Sequence, residues 1–249
     1  LWRTVMTDIK LTSFLQYKHF SNSDDTGLKS NYNVNLFNVG TSVKQLNTLF
    51  AGGQSNANLD LDYGDTNYGP YKTYQDAQTL QNTGGHFNRF RVNMVHTQFI
   101  KEDISASFKF YGQVADVNLD SSQKIYLGGP TGVRAYAVNE GSGSEGYVVN
   151  AEIKKNLPFN TSVSGFYDYG YARQYVNDPA KTGGSITGPN NFSLEGYGLS
   201  LDWSGPYRTL FSLSAARRVG NNPSPMANGN DSDGSHPGTF FWLKTNFNF

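Results

Sequence analysis

The chain of 249 residues has 20 basic and 20 acidic side chains, so nothing in its net charge points to a nucleic-acid partner. It has no cysteine, which excludes disulfide bonds and thiolate metal sites. Only 37% of the residues are hydrophobic, yet 16 Tyr and 17 Phe are present. This balance suits a β-barrel with an apolar outside and a wet inside better than a soluble core. No apolar run reaches roughly 18 residues, so a membrane-spanning helix is excluded.

Alternating side chains predict three strands in the N-terminal part of the chain, because successive residues of a strand point to opposite faces. The first strand sets Val5, Thr7, Ile9, Leu11, Leu15 and Tyr17 against Asp8, Lys10, Thr12, Gln16 and Lys18. A turn is predicted at 21–30. The next two strands set Tyr32, Val34 and Leu36 against Asn33 and Asn35, and Ala57, Leu59, Leu61 and Tyr63 against Asn58, Asp60 and Asp62. Each strand should therefore have one apolar, lipid-facing side.

The remaining strands are predicted at 85–98, 104–114, 123–128, 147–154, 163–171, 191–203, 207–218 and 239–249, which makes about eleven. Residues 65–84 form a longer connection, with a short helix at 74–80 as one interpretation. Tyr147, Val149, Tyr167 and Phe247 should face lipid, whereas Asn150, Glu152 and Asp168 should face the lumen.

The lengths of the connections indicate which end of the sheet faces the outside. Bacterial outer-membrane barrels have long external loops and short periplasmic turns. Residues 173–190 and 221–238 are long polar connections, whereas 156–160 and 204–206 are short. With the long ones outside, however, the long 65–84 segment falls on the periplasmic side. Either one strand is miscounted or that turn is unusually long.

One stretch of the chain, 124–150, has a pattern more specific than alternation. Gly128, Gly129 and Pro130 interrupt a short apolar run and allow tight reversals. Val133, Arg134, Ala135 and Tyr136 follow, so one arginine lies between apolar neighbours. An ordinary glycine-rich hairpin loop is the simpler interpretation.

The segment LGGP-x-x-VRAY resembles the loop motif of the two-partner-secretion translocators (the TpsB family of ShlB/FhaC/HecB-like haemolysin secretion/activation proteins). These are relatives of the BamA-like outer-membrane barrels. The usual form of the motif is VRGY, and Ala135 replaces its glycine here. That replacement leaves the loop backbone uncertain, because alanine is penalised where glycine takes a positive φ.

A second motif of the same family is matched by Phe166, Asp168 and Gly170, in the form F-x-D-x-G. Asp168 shares a parity with Ser162 and Ser164, which places it on the polar face. The resemblance implies that the loop folds into the barrel and that Arg134 meets Asp168. The alternative is that Asp168 lines a wet pore.

The C-terminal strand has an aromatic parity that ends on Phe247 and Phe249. This resembles the terminal signature by which outer-membrane barrels are recognised for assembly. An ordinary edge strand that ends in Phe by chance is the alternative.

Together the resemblances imply an all-β, transmembrane antiparallel barrel in the bacterial outer membrane. Residues 1–249 would be the C-terminal part of a sixteen-stranded barrel, with the inward loop at about 128–146 and without the periplasmic POTRA domains of the family. No secretory signal precedes the strand pattern that begins at 1–3, so we expect the chain to start inside a longer protein.

The implied function is export of a large β-helical exoprotein, such as a haemolysin, adhesin or toxin. A BamA-type assembly factor and a passive porin are the alternatives. The implied partners are that exoprotein, outer-membrane lipid and lipopolysaccharide, and the barrel assembly machinery.

No cofactor and no enzymatic activity are expected. The histidines at positions 19, 86, 96 and 236 lack metal-ligand spacing, and no nucleophile motif is recognisable. Charged residues on polar faces are expected to line the pore rather than to act in catalysis: Asp60, Asp62, Arg89, Arg91 and Glu152.

Overall fold

The computed structural model describes residues 2–25, 27–69, 80–186, 188–206, 209–223, 225–235 and 238–247. Its long strands are β2 (Thr7–Asp24), β3 (Gly27–Asn47), β4 (Gly53–Tyr68), β5 (Gly85–Phe99), β6 (Ile104–Ala115), β9 (Glu145–Leu157), β10 (Thr161–Arg173), β11 (Asn191–Ser204), β12 (Leu210–Arg218) and β13 (Thr239–Asn246). Three pairs of residues form β1 (Trp2–Arg3), β7 (Ile125–Tyr126) and β8 (Ser142–Gly143).

Strands β1–β6 and β9–β13 form one eleven-stranded sheet, in which each strand pairs antiparallel with its neighbour along the chain. Among the described residues no ladder joins β13 to β1 or β2, so both edges of the sheet are open. The all-β antiparallel architecture is therefore confirmed.

The predicted strand at 123–128 is wrong as a member of this sheet. Within this range only Ile125 and Tyr126 form a strand, and they pair with Gly143 and Ser142 inside the connection between β6 and β9. The sheet still has eleven strands, because the short strand β1 at its N-terminal edge was not predicted separately. Glycine and proline at 128–130 end the extended run before it could cross a bilayer, which takes roughly 9–11 residues.

Removing that strand resolves the conflict over residues 65–84. The connections 69–84, 116–144, 174–190 and 219–238 now begin and end at the same end of the sheet, which we call the loop end. The connections 48–52, 100–103, 158–160 and 205–209 lie at the other, which we call the turn end. The helix proposed at 74–80 falls outside the described residues, except for Leu80.

The alternation of side chains is confirmed for most strands. Outward residues such as Leu15, Ile153 and Tyr167 are exposed, and inward residues such as Asn150 and Asp168 are buried. Tyr147 and Phe247 are exposed as well, as their parity predicts.

The second strand is the exception, because Tyr32, Val34 and Leu36 are buried on the inner face. They pack there with Phe87 and Leu119. The predicted turn at 21–30 is also too long, since β2 continues to residue 24 and β3 starts at residue 27. Both strands are much longer than a bilayer crossing requires. Near the loop end, their apolar inward side chains contact the connection that enters the sheet.

The described helical segments are two 3₁₀ turns, Ser121–Gln123 and Pro179–Thr182. Within the part of the chain that the structure describes, no helix is long and apolar enough to cross a membrane.

Candidate functional site

The connection 116–144, which we call the inward loop, runs along the inner face of the sheet. Its base is fixed by Asp120, which accepts hydrogen bonds from the hydroxyls of Tyr32 (3.0 Å) and Tyr68 (2.6 Å). Leu119 beside it is buried. Burial acts to raise the pKa of Asp120, but hydrogen bonds from Tyr68, Ser122 and Tyr32 outweigh it and hold that pKa below its ordinary value. Asp120 is therefore a carboxylate that ties the base of the loop to β3 and β4.

A second anchor of the loop base comes from β5 and β6. The carbonyl of Gln123 accepts hydrogen bonds from Arg89 Nη1 (2.8 Å) and Gln113 Nε2 (3.1 Å). Arg89 is in turn oriented by Asp62, whose Oδ2 lies 2.8 Å from the nitrogens of both Arg89 and Arg91. Asn38 also donates to Asp62 at 2.7 Å. The expectation that Asp62 and Arg89 line the pore is wrong. Both side chains are buried, and they form an ion network that holds the base of the loop.

Residues 127–141, which we call the tip, are closed by their own backbone hydrogen bonds. Leu127 N donates to Gly141 O (3.0 Å), and Val133 N donates to Leu127 O (2.7 Å). Gly129 has a φ of +110°, and a Cβ at Gly132 would lie 2.0 Å from Leu127 O. Glycine is therefore required at both positions.

Arg134 extends from the tip to Asp168 on β10, as the two motifs imply. Its Nε donates to Asp168 Oδ2 and its Nη2 to Oδ1, each at 2.8 Å. The Arg134 backbone N donates to Oδ2 at 3.0 Å. The Asp168 side chain is fully buried and that of Arg134 is 13% exposed. We call this two-bond pair the latch; such planar pairs fix orientation as well as charge.

Further groups complete the surroundings of the latch. Arg134 Nη1 donates to Glu152 Oε2 at 3.0 Å, and Asn150 Nδ2 donates to Asp168 Oδ1 at 2.7 Å. The guanidinium carbon lies 3.3 Å from the centre of the Phe166 ring, in a cation–π contact. Phe166 therefore supports the cation from one face while the two carboxylates bind its edge.

Glycines on β10 and β11 make room for the tip. A Cβ at Gly170 would lie 3.0 Å from Val133 Cγ2, and a Cβ at Gly196 would lie 2.4 Å from the Cβ of Ala135. Ala135 does not adopt a positive φ. The alanine in place of the usual glycine is therefore accommodated by the missing side chain of Gly196, not by an unusual backbone.

The opposite side of the tip is held by residues that the sequence analysis did not single out. Trp242 Nε1 on β13 donates to Arg134 O at 2.7 Å. Arg218 on β12 donates from Nε to Ala135 O at 3.0 Å, and its guanidinium carbon lies 4.4 Å from the Tyr136 ring centre. The alternation along β12 and β13 could have identified Arg218 and Trp242, because it places both side chains on the inner face.

The structure brings together most of the predicted site residues, namely Val133, Arg134, Ala135, Tyr136, Phe166, Asp168 and Gly170. Phe247 lies apart from them, exposed and in an edge contact with Phe211. Phe249 and His236 lie outside the described residues. Among the residues with described positions, no group of three or more metal-binding side chains occurs.

Comparison with known proteins places this arrangement among secretion proteins. The family model of the haemolysin secretion/activation protein ShlB/FhaC/HecB matches residues 1–190. The heme/hemopexin transporter protein HuxB of Haemophilus influenzae (strain ATCC 51907 / DSM 11121 / KW20 / Rd) is 31% identical over 223 residues, which cover 87% of this chain and 36% of HuxB. HuxB of strain 86-028NP is also 31% identical, over 221 residues. The chain thus spans about a third of the length of these relatives.

A solved structure supports the fold independently. CdiB from Escherichia coli superposes with a TM-score of 0.73 at 18% identity, over 98% of this chain and 42% of CdiB. At that identity the likeness shows the fold alone, a transmembrane β-barrel. The chain belongs to the ShlB/FhaC/HecB family of haemolysin secretion/activation proteins, which are outer-membrane proteins of Gram-negative bacteria.

Proposed function

We propose that this chain forms part of an outer-membrane translocator that exports a secreted partner protein, and that the inward loop gates its conduit. Family membership supports the export of a partner. The observation that carries the gating role is the latch, the two-bond pair of Arg134 with Asp168, to which the Arg134 backbone N and a bond from Arg134 to Glu152 add.

The mechanism follows from where the loop lies. The tip covers an apolar patch on the inner face that includes Val148, Phe166 and Leu194. Towards the turn end the inner face is polar, with Ser164 and Ser200 on adjacent strands. A passing extended chain needs such a wet, polar wall, and the tip must leave its place before the conduit is continuous. No catalytic step and no cofactor enter this proposal.

The proposal includes further strands and partners. Open sheet edges are unfavourable in lipid because their backbone groups lack hydrogen-bond partners, so additional strands would close the barrel, with POTRA domains on its periplasmic side. The partner is a large β-helical exoprotein, and the similarity to HuxB, a heme/hemopexin transporter protein, makes a heme- or hemopexin-linked exoprotein one class to test. The other proposed partners are outer-membrane lipid, lipopolysaccharide and the barrel assembly machinery. The assembly machinery would recognise Phe247 and Phe249.

Two measurements test the proposal: export of the cognate exoprotein into the medium of cells that produce both proteins, and leak of small solutes through the barrel in cells that produce the translocator alone. Arg134→Ala should raise the solute leak at least about tenfold while the barrel still inserts, because the tip that closes the conduit loses its pairing with a buried carboxylate. Arg134→Lys should restore only part of the closure, since an ammonium cannot make two parallel hydrogen bonds. Lys181→Ala, an exposed change in the 174–190 connection, is the control.

Three results would contradict the proposal. An unchanged leak of small solutes in Arg134→Ala would remove the gating role. Loss of other outer-membrane proteins in cells that lack this protein, with secretion unchanged, would favour an assembly factor. Passage of small solutes through the wild-type barrel without any exported protein would favour a porin.

A further inference from the structure

A row of three inward positions crosses the sheet at the level of the latch. Asp168 on β10 is the register partner of Gly196 on β11, and Gly196 is the register partner of Arg218 on β12. The row therefore consists of an acidic residue, a glycine and a basic residue on three adjacent strands. Ala135 fills the slot that Gly196 leaves empty. Arg134 binds the acid on one side, and the carbonyl of Ala135 binds the base on the other.

Arg218 also connects the tip to the last long connection, 219–238. Its Nη2 forms an ion pair with Asp231, whose side chain is fully buried, and the Arg218 side chain is only 9% exposed. The guanidinium carbon lies 5.3 Å from the Phe240 ring centre, in addition to its contact with Tyr136. One buried cation thus holds two segments that are distant in the sequence.

A second set of hydrogen bonds joins the same two segments. Glu140, at the end of the tip, is buried. Its Oε1 accepts from Asn222 Nδ2 and its Oε2 from Ser232 N, each at 2.7 Å. Asn222 Nδ2 also donates to Asp231 Oδ1 at 2.9 Å. Both partners of Glu140 therefore come from across the boundary between the two connections, whereas Asp231 is held by Arg218 and by Asn222 of its own connection.

The chemistry of these contacts favours reversible closure. Buried carboxylates without partners are unfavourable, so the contacts favour the closed arrangement while it is dry. Once water enters, each protein hydrogen bond is exchanged for one to solvent at a modest net cost. A polar boundary of this kind can open, whereas the apolar contacts under the tip resist partial exposure.

We propose that Arg218, Asn222, Asp231 and Glu140 form an outer clasp, in which the described parts of 219–238 hold the tip in place, and that the clasp opens before the tip can leave. Arg218 is a positioning residue for the motif, since it acts on Ala135 and Tyr136 rather than on an exported chain. The opening step rests on the proposed export function, but the closed clasp does not.

The first experiment measures the clasp without using export. Ala137 is fully buried in the tip and the chain has no cysteine, so Ala137→Cys provides a single label site. Intact cells are treated with a membrane-impermeant maleimide. Arg218→Ala should speed labelling at least about tenfold, because labelling of a buried site follows the equilibrium for local opening. Arg217→Ala, its exposed neighbour on the opposite face of β12, should not.

Three further variants protect this test against misfolding. Asp231→Asn should also speed labelling, and Arg218→Lys should give an intermediate rate, because the charge remains while the planar donor is lost. The double variant Arg218→Ala/Asp231→Asn should be no faster than Arg218→Ala, as expected for residues of one network. Equal labelling rates in all variants would overturn the clasp.

The second experiment tests opening. Glu140→Cys with Asn222→Cys, joined by a short reducible thiol crosslinker, should stop secretion of the partner, and a reductant should restore it. Glu145→Cys with Arg173→Cys is the control, because these register partners join two strands that are already paired. Unchanged secretion with the clasp crosslinked would overturn the opening step. Absence of secretion by the wild type would instead count against the proposed function and leave the labelling result standing.

Discussion

Arg134 is held by two carboxylates that differ in burial, and this difference sets how strongly each one stabilises the docked tip. Asp168 is fully buried and accepts from the backbone, the guanidinium and Asn150. Glu152 makes a single contact to Arg134, and its side chain is 22% exposed. A buried partner is costly to remove, whereas a partly solvated one is screened by water.

We therefore expect Asp168→Asn to weaken docking of the tip by about 3–5 kcal/mol, and Glu152→Gln by about 1 kcal/mol or less. Hydrogen exchange of the Arg134 peptide in lipid nanodiscs measures both effects. Equal protection in the two variants would show that burial does not set the strength of the latch.

The contact between Ala135 and Gly196 gives a second prediction at this scale. Gly196→Ala brings two Cβ atoms to 2.4 Å, so the tip should shift and the leak of small solutes should rise several-fold, in the range of overpacked sites that lose about 1–3 kcal/mol. Adding Ala135→Gly should lower the leak again, because it removes the clashing atom and returns the motif to its usual form. Failure of the double variant to recover would show that Gly196 is needed for another reason.

At the scale of elements, the inward loop is held by apolar and by charged contacts at both ends. The base combines the apolar cluster around Leu119 with Asp120 and the carbonyl of Gln123. The tip combines the apolar patch around Val148, Phe166 and Leu194 with Arg134 and Arg218. Apolar contacts resist salt, whereas ion pairs weaken as salt or water reaches them. The charged contacts of the tip are therefore the ones that can be released first.

The ion network on β4 and β5 should matter for stability rather than for gating. Asp62→Asn leaves Arg89, which is 8% exposed, and Arg91 without a buried counter-charge. We expect a loss of about 3–5 kcal/mol, seen as a lower temperature for loss of the folded band in heat-modifiability gels. Asp65→Asn is the matched control, because its partner His86 is largely exposed and the pair should contribute about 1 kcal/mol or less. An equal shift in both would reject the network as the cause.

At the scale of the whole molecule, the long connections at one end of the sheet define an orientation. Outer-membrane barrels place long connections outside the cell and short turns in the periplasm. The latch and the outer clasp both lie towards the loop end, since Arg218 is the last residue of β12. The gate would therefore close the external side of the conduit.

Cysteine labelling of intact cells tests this orientation. Lys181→Cys, in the connection 174–190, should react with an impermeant maleimide at once. Phe159→Cys, in the exposed turn between β9 and β10, should react only after the outer membrane is permeabilised. The reverse order would place the loop end in the periplasm.

The sequence by itself determined the strands, the polar face of most of them and the pair of motifs. Alternation is a local property, since each side chain of a strand points away from the next. Asp168 could be placed on the inner face because Ser162 and Ser164 share its parity. The meeting of Arg134 and Asp168 came from the resemblance, and the structure places their atoms 2.8 Å apart.

Only the tertiary structure decided what the inner face contacts. Once a loop enters the sheet, apolar side chains have a second place to be buried, so Tyr32, Val34 and Leu36 turn inward where alternation alone predicts lipid. The same loop converts 123–128 from a wall strand into a small ribbon. Arg218 and Trp242 reach it across 83 and 108 residues of chain. Contacts at such separations depend on how the sheet curves around the loop. The local sequence pattern does not determine that curvature.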